Sequence, residues 1–220
     1  GEMTVVTYDR RSRGDSTDTQ TTFPESADRE IEDLEALVTA IGEGFYLYGH
    51  SSGAALALTA SATLRPEKLV LHEAPFHPDS EPPDEGIGGF SKGLEEKFER
   101  DDAEGAVELF LKSGGITDEQ IDEMKQGDDW AGWVANGRAL AYDSAAMGDR
   151  TGGRIPDEVL PEIACPTLTL AGSETYDNLI EVSRVLAEKM IDARFVLVGG
   201  ANHESGPDLI APPVKDFLLG

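Results

Sequence analysis

Ser51 stands in Gly49-His50-Ser51-Ser52-Gly53, a G-x-S-x-G run. Ahead of it lies Phe45-Tyr46-Leu47-Tyr48, short, apolar and aromatic, with the composition of a buried strand. Behind it comes AALALTASATL, a run of small and helix-forming residues. Strand, serine motif and helix together give the spacing a mechanical meaning, because a very tight turn projects the serine hydroxyl out of the sheet. Gly49 and Gly53 are expected to let backbone pass close on either side. The helix start behind Ser51 presents free N–H groups and a partial positive charge to any oxyanion formed there. The chemistry such a residue could do is nucleophilic attack. A serine hydroxyl is a poor nucleophile at neutral pH. It needs an imidazole to take its proton and a carboxylate to hold the imidazole's tautomer. The chain offers His50, His72, His77 and His203 for the first part, and 43 acidic residues for the second.

Positioning these groups takes a sheet. Met3–Tyr8 (MTVVTY) reads as a buried strand, and DRRSRGDS after it as a charged turn carrying Gly14. A helix is predicted from Ser26, with Ser26 as N-cap, Asp28 and Glu30 in the first turn, and Gly42 as the stop. Ile31, Leu34, Leu37, Val38 and Ile41 form its apolar face. KLVLH at 68–72 is another strand. From residue 77 the character changes. HPDSEPPDEGIGG is loop-like, and helical signals follow at Gly93–Phe98, Ala103–Lys112 and Asp129–Met147. Thr117-Asp118-Glu119-Gln120 is a capping box ahead of Ile121 and Met124. Strand patterning resumes with TLTLAG after Pro166 and ends with FVLV at 195–198, with a helix over about 178–190 between them and a terminal helix over 207–219. The alternation predicts an α/β fold, a mostly parallel sheet with helices on both faces. The helical stretch 78–157 is inserted between two of its strands.

Composition excludes several function classes. The 220 residues suffice for one domain with a full core, or one domain carrying an insertion. The formal net charge is −25, with 43 Asp and Glu against 18 Lys and Arg. Phosphate binding needs clustered cations, so nucleic acid and anionic membrane are excluded as partners. The acids are spread along the chain and read as a solvated surface, like that of proteins from salt-loving organisms. No apolar run approaches 18 residues and no signal-peptide pattern is present, so a cytoplasmic protein is expected. Cys165 rules out an internal disulfide and reads as a structural thiol. The histidines and single cysteine form no ligand-spaced cluster in the sequence, so no metal or organic cofactor is expected.

In its order of motifs the chain resembles the α/β-hydrolases. TVVTYDRRSRGDS resembles the strand and turn ahead of their nucleophile strand, and KLVLHEAPF the strand after the nucleophile helix. PTLTLAGSE resembles the strand that carries a catalytic acid, and FVLVGGANH the segment that delivers the histidine. The resemblance covers most of 1–77 and 158–220. It implies a hydrolase core in those two segments and a variable helical cap at 78–157. The triad order Ser, acid, His implies Ser51 as nucleophile and His203 as general base. His50 adjoins the nucleophile, and its side chain is expected to point away from it. For the acid the family's commonest spacing lands on Thr175, which cannot serve. Glu174 is one residue early and Asp177 two late, and Glu73 occupies a second location that some members use. Glu174 is placed slightly ahead of Glu73, with Asp177 third.

The resemblance further implies an ester or similar small acyl substrate and an acyl-enzyme. The N–H of Ser52 would serve as oxyanion donor. His50, Trp130 and Trp133 would contribute to substrate binding, with Phe90 or Phe110 as further apolar lining. The plainer expectation for these aromatics is that they hold the cap together. The family's sheet begins with strands and an oxyanion loop ahead of TVVTYD, and the sequence starts at Gly1. A chain lacking them is expected to be impaired, since one lost oxyanion donor costs about 2.7–4 kcal/mol. The strand normally lying between TVVTYD and FYLYGHS would also be missing, so the two pair directly or an apolar edge is left open. The alternative reading is a non-catalytic small-molecule-binding protein, or an inert fragment, on the same scaffold.

Overall fold

The computed structural model describes residues 3–42, 44–78, 89–149 and 153–220. In chain order, α1 (Asp28–Ile41) leads to β1 (Tyr46–His50), α2 (Ser52–Leu64) and β2 (Lys68–His72). A run of helices follows: α3 (Gly89–Glu99), α4 (Ala103–Ser113), α5 (Asp118–Met124), α6 (Trp130–Ala135) and α7 (Leu140–Met147). The chain closes with β3 (Thr167–Gly172), α8 (Asp177–Lys189), β4 (Ala193–Val198) and α9 (Pro207–Leu219).

The four strands lie in the order β1-β2-β3-β4 and every pairing is parallel. Parallel neighbours need crossovers: α2 lies in that from β1 to β2, the run α3–α7 in that from β2 to β3, and α8 in that from β3 to β4. Alternation along β2 sends Leu69 and Leu71 to one face, where they pack with Ala54, Leu58, Val182 and Leu186 of α2 and α8. Val70 faces the other way with Leu168 and Leu170 of β3, against Ile210, Phe217 and Leu218 of α9. Helices therefore cover both faces, as the sequence predicts, and all six residues of β3 are buried. Lys68 adds a cap, its Nζ donating to the last-turn carbonyls of Phe217 and Leu218 at 2.9 and 3.1 Å.

The sequence predicts a strand over Met3–Tyr8 and the structure has none there. Residues 4–10 join no ladder, and Val5 and Val6 are 75% and 52% exposed. β1 is consequently an edge, and Tyr46 and Tyr48 are exposed where a buried strand was expected. Aromatic and β-branched residues favour a pleated, half-covered surface, and that preference does not separate a central strand from an edge. Helix α1 starts one residue later than predicted, with Ala27 in the cap position and Ser26 Oγ 3.5 Å from the Asp28 N–H. Its last apolar residue, Ile41, is exposed.

Between β2 and β3 the elements of the described residues are helical, apart from one parallel bridge pairing His77 with Arg154. The His77 N–H donates to Gly153 O at 2.7 Å, so the two ends of the helical stretch are pinned together. The capping box is present in both directions, Thr117 Oγ1 accepting from Gln120 N–H and Gln120 Oε1 from Thr117 N–H. The loop read over 77–89 falls mainly on residues 79–88, which lie outside the described residues. Among the described residues no helix is long and apolar enough to cross a membrane.

Candidate active site

Three strand ends converge on one rim. β1, β2 and β4 are parallel members of one sheet, and Ser51, Glu73 and the His203 loop all leave from C-terminal ends. Ser51 sits between β1 and α2 with φ 55° and ψ −128°. A non-glycine residue there stores on the order of 1–3 kcal/mol of strain. The surroundings hold it in place. The Ser51 N–H donates to His72 O at 2.9 Å, tying the turn to the neighbouring strand end. A Cβ on Gly49 would lie 2.2 Å from Gly53 O, so the backbone folds back on the strand where only glycine fits. Gly53 differs: a Cβ there meets nothing within 4 Å. Of the two motif glycines, only Gly49 meets the expected close approach.

Ser52 opens α2, so its N–H is one of the first-turn donors that a helix leaves over. Its side chain is clamped. Ser52 Oγ donates to Asp143 Oδ1 at 2.5 Å and accepts from Arg10 Nη1 at 3.1 Å. Arg10 holds the buried Glu30 by two bonds of 2.6 Å and reaches Asp143 at 3.0 Å. Arg13 Nη2 adds a 2.6 Å bond to Asp143. The turn after Tyr8, helix α1, the start of α2 and helix α7 therefore meet at the residue next to Ser51. Residue types suggested Glu30 only as a helix-start acid, and nothing in the sequence connects Asp143 to a residue 91 positions away.

Glu73 follows β2 at φ 52° and is fully buried. Its carboxylate is saturated with donors. Gly172 N–H reaches Oε1 at 2.8 Å, Thr175 Oγ1 reaches Oε2 at 3.0 Å, and His203 Nδ1 reaches Oε2 at 2.5 Å. Burial opposes ionisation here, but the bonds from His203, Gly172 and Thr175 outweigh it and hold the carboxyl below its ordinary value. An ionised Glu73 can only accept, so Nδ1 of His203 carries the proton and Nε2 keeps its lone pair. The same bond raises the His203 pKa against the opposing effect of burial. The loop bearing His203 is held from below: Gly200 N–H donates to Ser173 Oγ and Glu174 N–H to Ala201 O, each at 2.8 Å. A Cβ on Gly172 would sit 2.1 Å from Ala201 O, so glycine is required there too.

The structure thus pairs His203 with Glu73 and not with Glu174, the acid placed slightly ahead on sequence alone. Glu174 is exposed, as is Asp177 at the start of α8. Thr175 is the residue of that loop that enters the site, as a donor to Glu73. The acid lies at the end of β2 because the β2 and β3 ends are adjacent, so the β3 loop can supply donors while β2 supplies the charge.

His50 packs between two other imidazoles, its ring centroid 4.3 Å from that of His72 and 4.7 Å from that of His203. Burial lowers the pKa of His50, with the nearby His203 adding to the effect. Burial pushes His72 down to about 4, and Tyr48, its phenol 2.8 Å from His72 Nδ1, up to about 12. Trp130 packs on Val107, Leu111 and Ile121, and its Nε1 donates to Glu104 at 3.1 Å. Trp133 and Phe110 are exposed, and Phe90 packs with Leu94 and Phe98. Trp130 and Phe90 are therefore placed where they hold the helical stretch together.

A protein-family profile described as "Alpha/beta hydrolase family" matches residues 1–212. An alpha/beta hydrolase from Sphaerobacter thermophilus is similar at 33% identity and a TM-score of 0.80, with 96% of this chain and 80% of that one covered. A thermophilic esterase from Thermogutta terrifontis shares the fold at 20% identity and a TM-score of 0.67, covering 96% and 78%. An enol-lactonase from Burkholderia xenovorans does so at 18% and 0.65, covering 97% and 80%. Comparison with curated proteins gives no match.

Proposed function

The chain belongs to the alpha/beta hydrolase family, and on that premise we propose that it is a serine hydrolase of ester-like small acyl substrates. Ser51 attacks the acyl carbonyl. His203 Nε2 takes the hydroxyl proton and later delivers it to the leaving group. Glu73 holds the imidazole in the Nδ1–H tautomer and stabilises the imidazolium. The oxyanion rests on the Ser52 N–H at the positive end of α2. Water then attacks the acyl-enzyme and releases the acid. Helix α7 of the helical stretch reaches this rim through the bond of Asp143 to Ser52, which supports a cap role for it.

The observation that carries the reading is the 2.5 Å bond from His203 Nδ1 to a buried, donor-saturated Glu73, at the rim where Ser51 sits in a strained turn. His203 also lies 4.7 Å, ring to ring, from the residue preceding Ser51. The Thermogutta esterase and the Burkholderia enol-lactonase make an ester or lactone the first substrate class to test. A fluorophosphonate probe is expected to label Ser51, and Ser51→Ala is expected to lose both labelling and turnover of p-nitrophenyl acetate. Folded protein that takes no label would favour a non-catalytic binding protein on the hydrolase scaffold.

A further inference from the structure

Two imidazole nitrogens near the rim are buried and bonded to nothing: Nε2 of His50 and Nε2 of His72. The two residues are register partners at the ends of β1 and β2. His72 is 2% exposed and Glu73 not at all. His72 Nε2 is 3.9 Å from Glu73 Oε1, and one ligand atom from each of the three residues lies within 4.8 Å of the other two. Tyr48 sits 2.8 Å from the far nitrogen, His72 Nδ1. That bond fixes the ring and leaves Nε2 turned into the group, the arrangement by which an outer partner orients a metal-bound imidazole. The proposed acyl transfer uses neither His50 nor His72.

What would engage two buried, unbonded imidazole nitrogens beside a carboxylate is a cation that prefers mixed nitrogen and oxygen ligands. Calcium and magnesium take oxygen ligands, whereas zinc-class ions accept two histidines and a carboxylate. Tetrahedral bonds of about 2.0–2.2 Å put ligand atoms roughly 3.3 Å apart, closer than the 3.9 Å between His72 Nε2 and Glu73 Oε1, so the ligands draw together on binding.

We propose that His50, His72 and Glu73 form a three-ligand site for a divalent transition metal of the zinc class, and that an ion bound there switches the hydrolase off. The second half rests on the serine hydrolase reading. The ion takes Glu73 Oε1, which now accepts from Gly172, and its charge cancels the carboxylate that supports the His203 imidazolium.

The probe is Co²⁺, added to the EDTA-stripped full chain in high NaCl and excess Mg²⁺ so that surface carboxylates do not compete. One equivalent should bind and give the visible absorption of low-coordinate, nitrogen-ligated cobalt, and Zn²⁺ should displace it. His50→Gln and His72→Gln should each lose the band while keeping the wild-type circular dichroism. Tyr48→Phe should weaken binding about 10–100-fold. Absence of the band, or the same band in the half-buried His50→Gln variant, overturns the site. Fluorophosphonate labelling separates the two halves. Labelling of metal-free protein that stops at one equivalent of Zn²⁺ and returns with EDTA is the expected result, and labelling indifferent to bound zinc overturns the switch. A cobalt band in a protein that never labels leaves the site standing and removes the hydrolase reading instead.

Discussion

At the residue scale, Glu73 carries the largest consequences. It is the buried charge of the site, and three donors keep it ionised. Glu73→Gln is expected to lower kcat by about 10²–10⁴-fold, because the amide cannot hold the same tautomer or balance the imidazolium. Glu174→Gln, on an exposed side chain, should leave kcat nearly unchanged, and ester turnover of the two variants decides between the acids. The pH dependence has a definite sign. As the proposed base, His203 needs Nε2 free, and its pKa lies above the ordinary value, so kcat/KM should fall on the acid side with a midpoint above about 6.5. Stability follows a different residue. His72 titrates at about 4 when folded and about 6.5 when unfolded, so the unfolded chain binds more protons between these values and stability rises with pH across that window. The full effect is about 3 kcal/mol. Glu73, whose pKa is depressed, loses its contribution only as pH falls through its lower folded value. In EDTA, Tm should drop from pH 6.5 to 4, and His72→Gln should shrink that drop. An identical drop in the variant would move the cause elsewhere.

At the element scale, the turn from β1 to α2 depends on two glycines in opposite ways. A Cβ at Gly49 would overlap the backbone of Gly53, whereas a Cβ at Gly53 meets open space inside a helix. Gly49→Ala should cost on the order of 2–4 kcal/mol and disturb the serine's turn, while Gly53→Ala should be neutral or up to about 1 kcal/mol stabilising through helix propensity. Urea unfolding of the two variants measures the difference, and equal losses would contradict the geometry. The motif spacing was legible in the sequence, as was the capping box at Thr117. Their signals are local, lying within one turn of backbone. The edge position of β1 was not legible, because whether Tyr46 and Tyr48 are covered depends on what pairs beside them.

At the scale of the whole molecule, charge dominates. A net formal charge of −25 on 220 residues opposes compaction, and the opposition weakens as salt shortens the Debye length from about 10 Å at 0.1 M to about 3 Å at 1 M. Tm is expected to rise from about 0.1 to 1 M NaCl, and scanning calorimetry at fixed pH tests it. A flat or falling Tm would mean that ion pairs such as Arg10–Glu30 outweigh the repulsion. The open edge adds a second property of the whole. Tyr46 and Tyr48 expose apolar surface on the edge strand β1, and Val5 and Val6 are exposed in the segment ahead of α1; the high net charge opposes association there.

Apart from the strand expected over Met3–Tyr8, the sequence by itself determined the order of elements, the parallel sheet, the serine turn and the loop that carries His203. Each is written in runs of neighbouring residues: apolar alternation, small-residue spacing, a glycine before a turn. Tertiary structure alone decided which carboxylate meets His203, that Thr175 donates to it, that Asp143 reaches Ser52, and that His50 and His72 face each other. Those contacts span 22 to 130 positions of chain; the Asp143 contact comes from helix α7 packing on the start of α2, and the others exist because parallel strands align their ends side by side whatever the length of chain between them.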